Sequence, residues 1–307
     1  MNFTSIRVSS LRGDQKIDFD VYVEIGAKQV LYLRKGSSFE GERLQRLRAK
    51  KLKKMYINVD DESSYREYLK KNIDMAYDAK SSQSMETRTQ VIQGAQQAAA
   101  ENVLENPTDE SAYLVAKEGS EKFADFLMRE QQAIKGLLSI ENQDHSLAHH
   151  GVSVSSLAVE LAKKLGVADK PSLSMIALGG LVHDLGHQIS GLDVARPVDQ
   201  MSEDDRKIYF DHPHQGVLKV KDLNHMDLHV SQIIAEHEEN CKGTGFPDKS
   251  LPQKQNPFSA FVQTANGFDR LVTFENMKAA DAIKFLAIER IGVYPLEHIK
   301  ALKAIGG

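Results

Sequence analysis

The chain has 307 residues, of which 41% are hydrophobic and 27% charged, and a net charge of −4. That length has room for two domains, and the composition is that of a soluble globular protein. Bulk charge gives no reason to expect a nucleic-acid polymer or an acidic membrane surface as partner. A single cysteine, Cys241, excludes an intrachain disulfide framework and suits a reducing compartment. The opening MNFTSIRVSSLRGDQ has no apolar signal-peptide core. No apolar run approaches the roughly 20 residues that span a bilayer, so a cytoplasmic protein without a membrane segment is expected.

Residues 1–60 read as α/β. Residues 18–23 and 29–33 are short β-prone segments on either side of Gly26, the pattern of a hairpin. Residues 38–51 are polar and helix-prone, and 54–59 read as a further strand. The basic run RLRAKKLKK reads as a solvated helix face. There is no glycine-rich phosphate loop and no nucleophile elbow in this region. From Glu62 to about residue 143 the pattern is helical, broken at residues 81–84 and at the Asn106-Pro107 turn. The Gln/Ala-rich stretch before that turn lacks a sustained heptad.

Helices dominate after residue 144. An apolar stripe runs through Val152, Leu157, Leu161 and Leu165, and Pro171-Ser172 starts the next helix. Residues 191–200 read as a loop, and Ser202 with its acidic followers as a helix start. Asp211-His212-Pro213 is expected to open a further helix, since proline is tolerated in a first turn. Residues 226–238 are amphipathic. Residues 240–257 form a loop longer than about 12 residues, a length that usually carries function. Helices follow over 257–271, 278–290 and 295–305. The expected fold is mainly α: a small α/β domain (1–75), connecting helices (76–140) and an all-helical, metal-binding C-terminal domain (141–307).

Histidine is the skewed residue. Of 11 histidines all but His298 lie between His145 and His237, the clustering a metal site needs. His183-Asp184 ends an apolar run. Taken alone, the pair reads as a helix C-terminus, with His183 and His187 near the last carbonyls and Gly186 ending the helix. It is not alone. His150, His183, Asp184, His212, His237, Glu238, Asn266 and Asp269 lie at helix ends or on plausible inward faces of five predicted helices. Oxygen and nitrogen donors without a thiolate favour iron, manganese or a similar ion over structural zinc. Two ions sharing Asp184 fit the donor count, and ions about 3.5–4 Å apart suit phosphoester hydrolysis. His149 leaves the first ligand open by one position. His145, His214, His225 and His229 read as surface or structural residues.

The order and spacing of these motifs resemble the HD-GYP family, phosphodiesterases that hydrolyse the bacterial messenger cyclic di-GMP. HHGVSVSSLAVELAKKLGV is similar to that family's first-histidine helix and LVHDLGH to its HD motif. RPVDQMSEDDRKIYFDHPHQG, HEENCKGTGFP and TANGFDRL follow in the family's order. The likeness covers roughly residues 144–271. It implies an all-helical domain around a metal centre, with cyclic di-GMP or a related cyclic dinucleotide as ligand. A signalling protein, such as a GGDEF-type protein, is the implied partner at the Gly-Phe-Pro loop.

The resemblance also implies roles. Asp184 bridges two divalent ions, most simply Fe and alternatively Mn, and a bridging hydroxide opens cyclic di-GMP to pGpG and GMP. His150 and His183 hold one ion, with Asn266 or Asp269. His212, His237 and Glu238 hold the other. His187 and Arg196 steady the phosphate, and Lys242, Gly243, Gly245, Phe246 and Pro247 form a loop over the ligand. Several positions depart from the family pattern. Ser146 replaces a glutamate of the trinuclear members, so two metals are expected rather than three. His187 replaces a lysine, Glu238 a histidine, Lys242 and Asn266 aspartates, and Phe246 the tyrosine. The Arg-Pro-Tyr-Arg run after the last motif is absent. The alternative to the enzyme is a metal-containing cyclic dinucleotide sensor or partner-binding module with weak or no turnover.

Overall fold

The computed structural model describes residues 2–40, 42–140 and 145–306. In chain order these form β1 (Phe3–Arg7), β2 (Val21–Ile25), β3 (Lys28–Leu33), α1 (Arg43–Ala49), β4 (Lys54–Asn58), α2 (Glu62–Tyr77), α3 (Met85–Glu105), α4 (Glu110–Arg129) and α5 (Ala133–Leu138). Then follow α6 (Leu147–Lys164), α7 (Lys170–Val182), α8 (Leu185–Ser190), α9 (Glu203–Val220), α10 (Leu228–Glu236), α11 (Ser259–Thr273), α12 (Ala279–Ile288) and α13 (Leu296–Gly306). The fold is mainly helical with one small N-terminal sheet, as expected. Contacts divide the chain into two compact units, 1–98 and 99–307. The domain edge expected at 141 lies outside the described residues.

The first unit rests on an antiparallel sheet in the order β1-β4-β2-β3. β1 is the strand that sequence reading lacks. FTSIR is too polar to announce itself, and its pairing with β4 comes from far along the chain, Phe3 opposite Asn58 and Arg7 opposite Lys54. Ile6, Phe19, Val21, Phe39, Met55 and Ile57 supply the core. Phe19 meets Tyr65 and Tyr68 of α2 edge-on, with ring centroids 5.5 and 5.6 Å apart, a favoured aromatic geometry.

The second unit packs its helices around Val103, Tyr113, Val152, Leu178, Leu181, Val230 and Ile234. Local signals place the helix starts. Ser146, Asp169 and Ser202 cap α6, α7 and α9, accepting from the backbone N–H groups of His149, Ser172 and Asp205. Ser146, at the position of the trinuclear members' glutamate, is thus a capping residue. Tyr113 donates from its hydroxyl to Asp227 (2.8 Å), and Lys117 pairs with the same carboxylate, fixing α4 to the start of α10.

Two local expectations are corrected. Asp211-His212-Pro213 does not open a helix: α9 runs unbroken through Pro213. Gly186 does not end one either. α7 stops at Val182, Gly186 lies inside α8, and Gly191, at φ 64°, is the residue that terminates α8. Gly186 is there for space, because a Cβ would lie 1.8 Å from the carbonyl oxygen of His212. Among the described residues, no helix is long and apolar enough to cross a membrane.

Candidate metal centre

Every expected ligand is brought to one place. α6 carries His150, the α7–α8 junction carries His183 and Asp184, and α9 carries His212; α8 adds His187, expected as a phosphate contact. His237 and Glu238 follow α10 directly, and α11 carries Asn266 and Asp269. All are buried except Glu238, which is half-buried. Their donor atoms form three overlapping groups, each within 4.8 Å: His150, His183 and Asp184; Asp184, His187 and His212; His212, His237 and Glu238. Asp184 and His212 each belong to two of the groups.

One local device orients three of the imidazoles. His183 Nδ1 donates to the Gly180 carbonyl (2.8 Å), His212 Nδ1 to that of Tyr209 (2.6 Å) and His237 Nδ1 to that of Ile234 (2.9 Å). Each carbonyl lies three residues back and lacks its usual helical partner. α7 and α10 end at the histidine, which frees their last carbonyls. In α9, Pro213 has no N–H to give Tyr209, so His212 takes that oxygen instead. Since a carbonyl only accepts, Nδ1 carries the proton and the Nε2 lone pair faces inward, the arrangement of a metal-binding histidine.

Asp184 sits among these nitrogens. Its Oδ1 is 3.5 Å from His183 Nε2, 3.5 Å from His212 Nε2 and 3.4 Å from His237 Nε2, and its Oδ2 is 3.6 Å from His150 Nε2. Neither oxygen has a hydrogen-bond partner among the described residues, and His183 Nε2 has none either. Burial opposes the charge on Asp184, but the imidazoles that face it, His212 and His237 among them, outweigh burial and hold the carboxyl well below its usual range. Burial pushes His183 down to about 3, so that imidazole is neutral. His212 and His237 bring their Nε2 atoms to 2.8 Å, which requires a proton or a metal ion between them. A buried carboxylate and inward lone pairs are costly unless paired, and divalent cations satisfy them together. The donors are all nitrogen and oxygen, so the set is compatible with a metal-binding site.

α11 closes the centre on the His150 side. His150 Nδ1 meets Asp269 Oδ2 at 2.6 Å, on the edge opposite the Nε2 that approaches Asp184. Asn266 Oδ1 lies 3.1 Å from His150 Nε2, and Asn266 donates from Nδ2 to Glu238 Oε1 at 3.1 Å. That donation fixes the amide with its oxygen toward the imidazole. His149, the one-position alternative, turns away to the carbonyl of Ile140.

The expected phosphate contacts are placed differently. His187 is buried, with its ring stacked on that of His212 at 3.6 Å, and neither ring nitrogen has a partner among the described residues. Burial first, then His212, drive its pKa well below the usual histidine value, so it offers no cationic charge. Arg196 is ion-paired with Asp205 near the start of α9. Phe246 lies against Phe210 (4.9 Å) and Tyr209 (6.1 Å), and 6.0 Å from the His212 ring. Lys242 is exposed, and the Phe246–Pro247 peptide is cis. Gly245 lets the loop close, since a Cβ there would come within 2.5 Å of the Glu238 backbone.

Sequence reading missed the residues that support this arrangement. Glu236 and Glu239 look like charges on a solvated helix end. Instead Glu236 accepts from Asn256 N and Ser259 Oγ (2.8 and 2.6 Å), and Glu239 from Asp248 N and Ser250 N (2.7 and 3.0 Å). They anchor the long loop and the start of α11. Tyr209 and Arg270 were also missed. The guanidinium carbon of Arg270 lies 5.2 Å from the Tyr209 ring centre, and the Tyr209 ring lies 5.1 Å from that of His187.

Comparison with known proteins agrees with this geometry. The HD domain family model matches residues 129–290, more than half of the 307-residue chain. The solved structure of Bd1817, a HDG"Y"P protein from Bdellovibrio bacteriovorus, is similar over 99% of both chains, with 47% identity and a TM-score of 0.93. The cyclic di-GMP phosphodiesterase PA4108 of Pseudomonas aeruginosa is 21% identical over 196 residues, 58% of this chain and 47% of that protein. The cyclic di-GMP phosphodiesterase response regulator RpfG of Xanthomonas campestris pv. campestris is 24% identical over 180 residues, 57% of this chain and 47% of its own. The chain thus spans about half the length of the curated relatives it matches. With the HD pair, its companion histidines and the Gly-Phe-Pro loop gathered at one centre, the chain belongs to the HD-GYP family of HD-domain proteins, as a divergent member with Phe246 in place of the motif tyrosine.

Proposed function

We propose that this protein is a metal-dependent phosphodiesterase that hydrolyses cyclic di-GMP to pGpG and GMP. The observation that carries the reading is the inward aim of the His183, His212 and His237 Nε2 atoms around a buried Asp184 carboxylate that has no hydrogen-bond partner among the described residues. The names of the curated relatives support the substrate class. His150, His183, Asp184 and Asn266 would hold one divalent ion, and Asp184, His212, His237 and Glu238 a second, with Fe or Mn suited to the donors. Such ions supply a nucleophile from water at neutral pH and neutralise charge on phosphate oxygens. In this reading Asp269 orients His150 from its outer edge and Asn266 is the ligand, which the Nδ1–Oδ2 contact of 2.6 Å supports. Phe246 offers a ring for guanine to stack on.

The second reading, a cyclic dinucleotide sensor without turnover, draws on the uncharged state of His187 and the pairing of Arg196 with Asp205, which leave neither as a free cation for the phosphate. One assay separates the two. Metal-replete protein is incubated with cyclic di-GMP under anaerobic, reducing conditions. Formation of pGpG or GMP that Asp184→Ala abolishes supports the enzyme. Binding without product supports the sensor, and protein that retains no iron or manganese defeats both.

A further inference from the structure

Of the expected phosphate cations, His187 is buried and uncharged and Arg196 is paired with Asp205, yet one cation missed in the sequence lies beside the centre. Arg270 lies four residues after Asn266 on α11, so the two side chains share a helix face. Its guanidinium carbon is 5.2 Å from the ring centre of Tyr209 and 5.4 Å from that of Phe274. Tyr209 in turn touches the rings of His187 (5.1 Å) and His212 (5.6 Å) and faces Phe246 (6.1 Å). The guanidinium is therefore on the side of the centre that the Gly-Phe-Pro loop covers. Nη1 is buried without a hydrogen-bond partner among the described residues, although Arg270 as a whole is only half-buried. Burial disfavours its charge, but Tyr209, Glu238, Asp184 and Glu275 outweigh that and keep it cationic.

A buried, charged donor without an acceptor is costly. It persists where an acceptor arrives with the ligand. The guanidinium fork matches two oxygens of a phosphate, a pairing that neither lysine nor a neutral imidazole reproduces. From this geometry we infer that Arg270 is the phosphate-binding residue of the centre, its fork held by Tyr209 and Phe274 so that Nη1 meets a nonbridging oxygen of the phosphodiester. This rests on the reading of the site as a phosphodiester site, but not on cyclic di-GMP being the substrate.

The test uses the metal-replete full chain and calorimetric titration with two probes, inorganic phosphate and cyclic di-GMP. Arg270→Gln is expected to weaken phosphate binding about ten- to hundred-fold, the loss of one charge-assisted contact, with metal content unchanged. Arg270→Lys is expected to recover only part of that, because it restores charge without the fork. Phosphate affinity within about two-fold of wild type in Arg270→Gln overturns the inference, as does wild-type protein that binds no phosphate. Should Arg270→Gln shed its metals, Arg270→Lys decides. If the lysine variant holds the metals but binds phosphate more weakly than wild type, the inference stands; wild-type affinity overturns the forked contact and leaves Arg270 a charge balance for Asp184 and Glu238. The substrate reading fails separately. Arg270-dependent phosphate binding without cyclic di-GMP binding sinks the substrate and keeps Arg270, whereas cyclic di-GMP hydrolysis unchanged in Arg270→Gln does the reverse.

Discussion

Three histidines in this chain solve one problem in the same way. An imidazole that is to bind metal through Nε2 has to place its Nδ1 proton somewhere, and in a buried site water is not available. His183 and His237 use carbonyls released by the end of their helices, and His212 uses the carbonyl released by Pro213. His150 sits in the first turn of α6, where the carbonyls are taken by the helix that follows, and uses Asp269 instead. On the proposed reading Asp269 is an orienting partner, and such partners typically contribute 10- to 100-fold in metal affinity. Asp269→Asn should lower affinity by about that factor in a chelator-competition titration while the number of bound ions at saturation stays the same. Loss of a whole ion would make Asp269 a ligand. A reading of His183 as a helix-end residue and the proposal that it is a ligand are therefore compatible: the cap bond leaves Nε2 free to bind an ion.

At the scale of elements, the centre depends on close backbone approach and on an anchored loop. α8 lies against α9 at Gly186, where no side chain fits. The loop after α10 is folded back by Glu239, whose carboxylate takes the N–H groups of Asp248 and Ser250. Glu239→Gln keeps one acceptor oxygen and loses the other, so one backbone donor goes unpaired at about 1–2 kcal/mol. Faster amide exchange at residues 248–250 with little change in global melting is the expected outcome; unchanged exchange would mean that the loop is held elsewhere. The helices of the second unit were legible because apolar stripes and Ser or Asp caps mark them locally. β1 was not, because its partner β4 is some fifty residues away and its own residues are polar. The continuity of α9 was hidden because proline ordinarily signals a first turn, and only the fold shows that the orphaned carbonyl is used. Glu236, Glu239 and Arg270 look like surface charges in sequence, since periodicity does not distinguish a solvated charge from a buried one with a task.

On the scale of the molecule, the centre ties stability to pH. His183 and His187 are buried, and their folded pKa values are depressed, that of His183 to about 3. In the unfolded chain both titrate near 6.5. Below that value the unfolded state binds protons that the native state refuses, so their contribution is complete above about 6.5 and lost as pH falls toward 3. Asp184, also depressed, acts in the same direction, with its stability lost below the usual carboxylate range. His237 is raised, because Asp184 outweighs burial, and its contribution is present below 6.5 and lost as pH rises through the folded value. Glu236 and Glu239 are raised by burial and also favour lower pH. A single variant isolates the first group. Metal-free protein should melt lower at pH 5 than at pH 7.5, and His183→Gln, which cannot take the proton, should flatten that slope. Bound metal adds to the stability of the neutral His183, since an ion at the centre binds the deprotonated imidazole and stabilises by about 3–4 kcal/mol when present at 100 to 1,000 times its dissociation constant. For a chain of this size that is a rise of several degrees in melting temperature, which a chelator should reverse. Equal slopes in wild type and His183→Gln, with no effect of chelator on either, would mean that the histidines are exposed to solvent and that no metal holds the centre together.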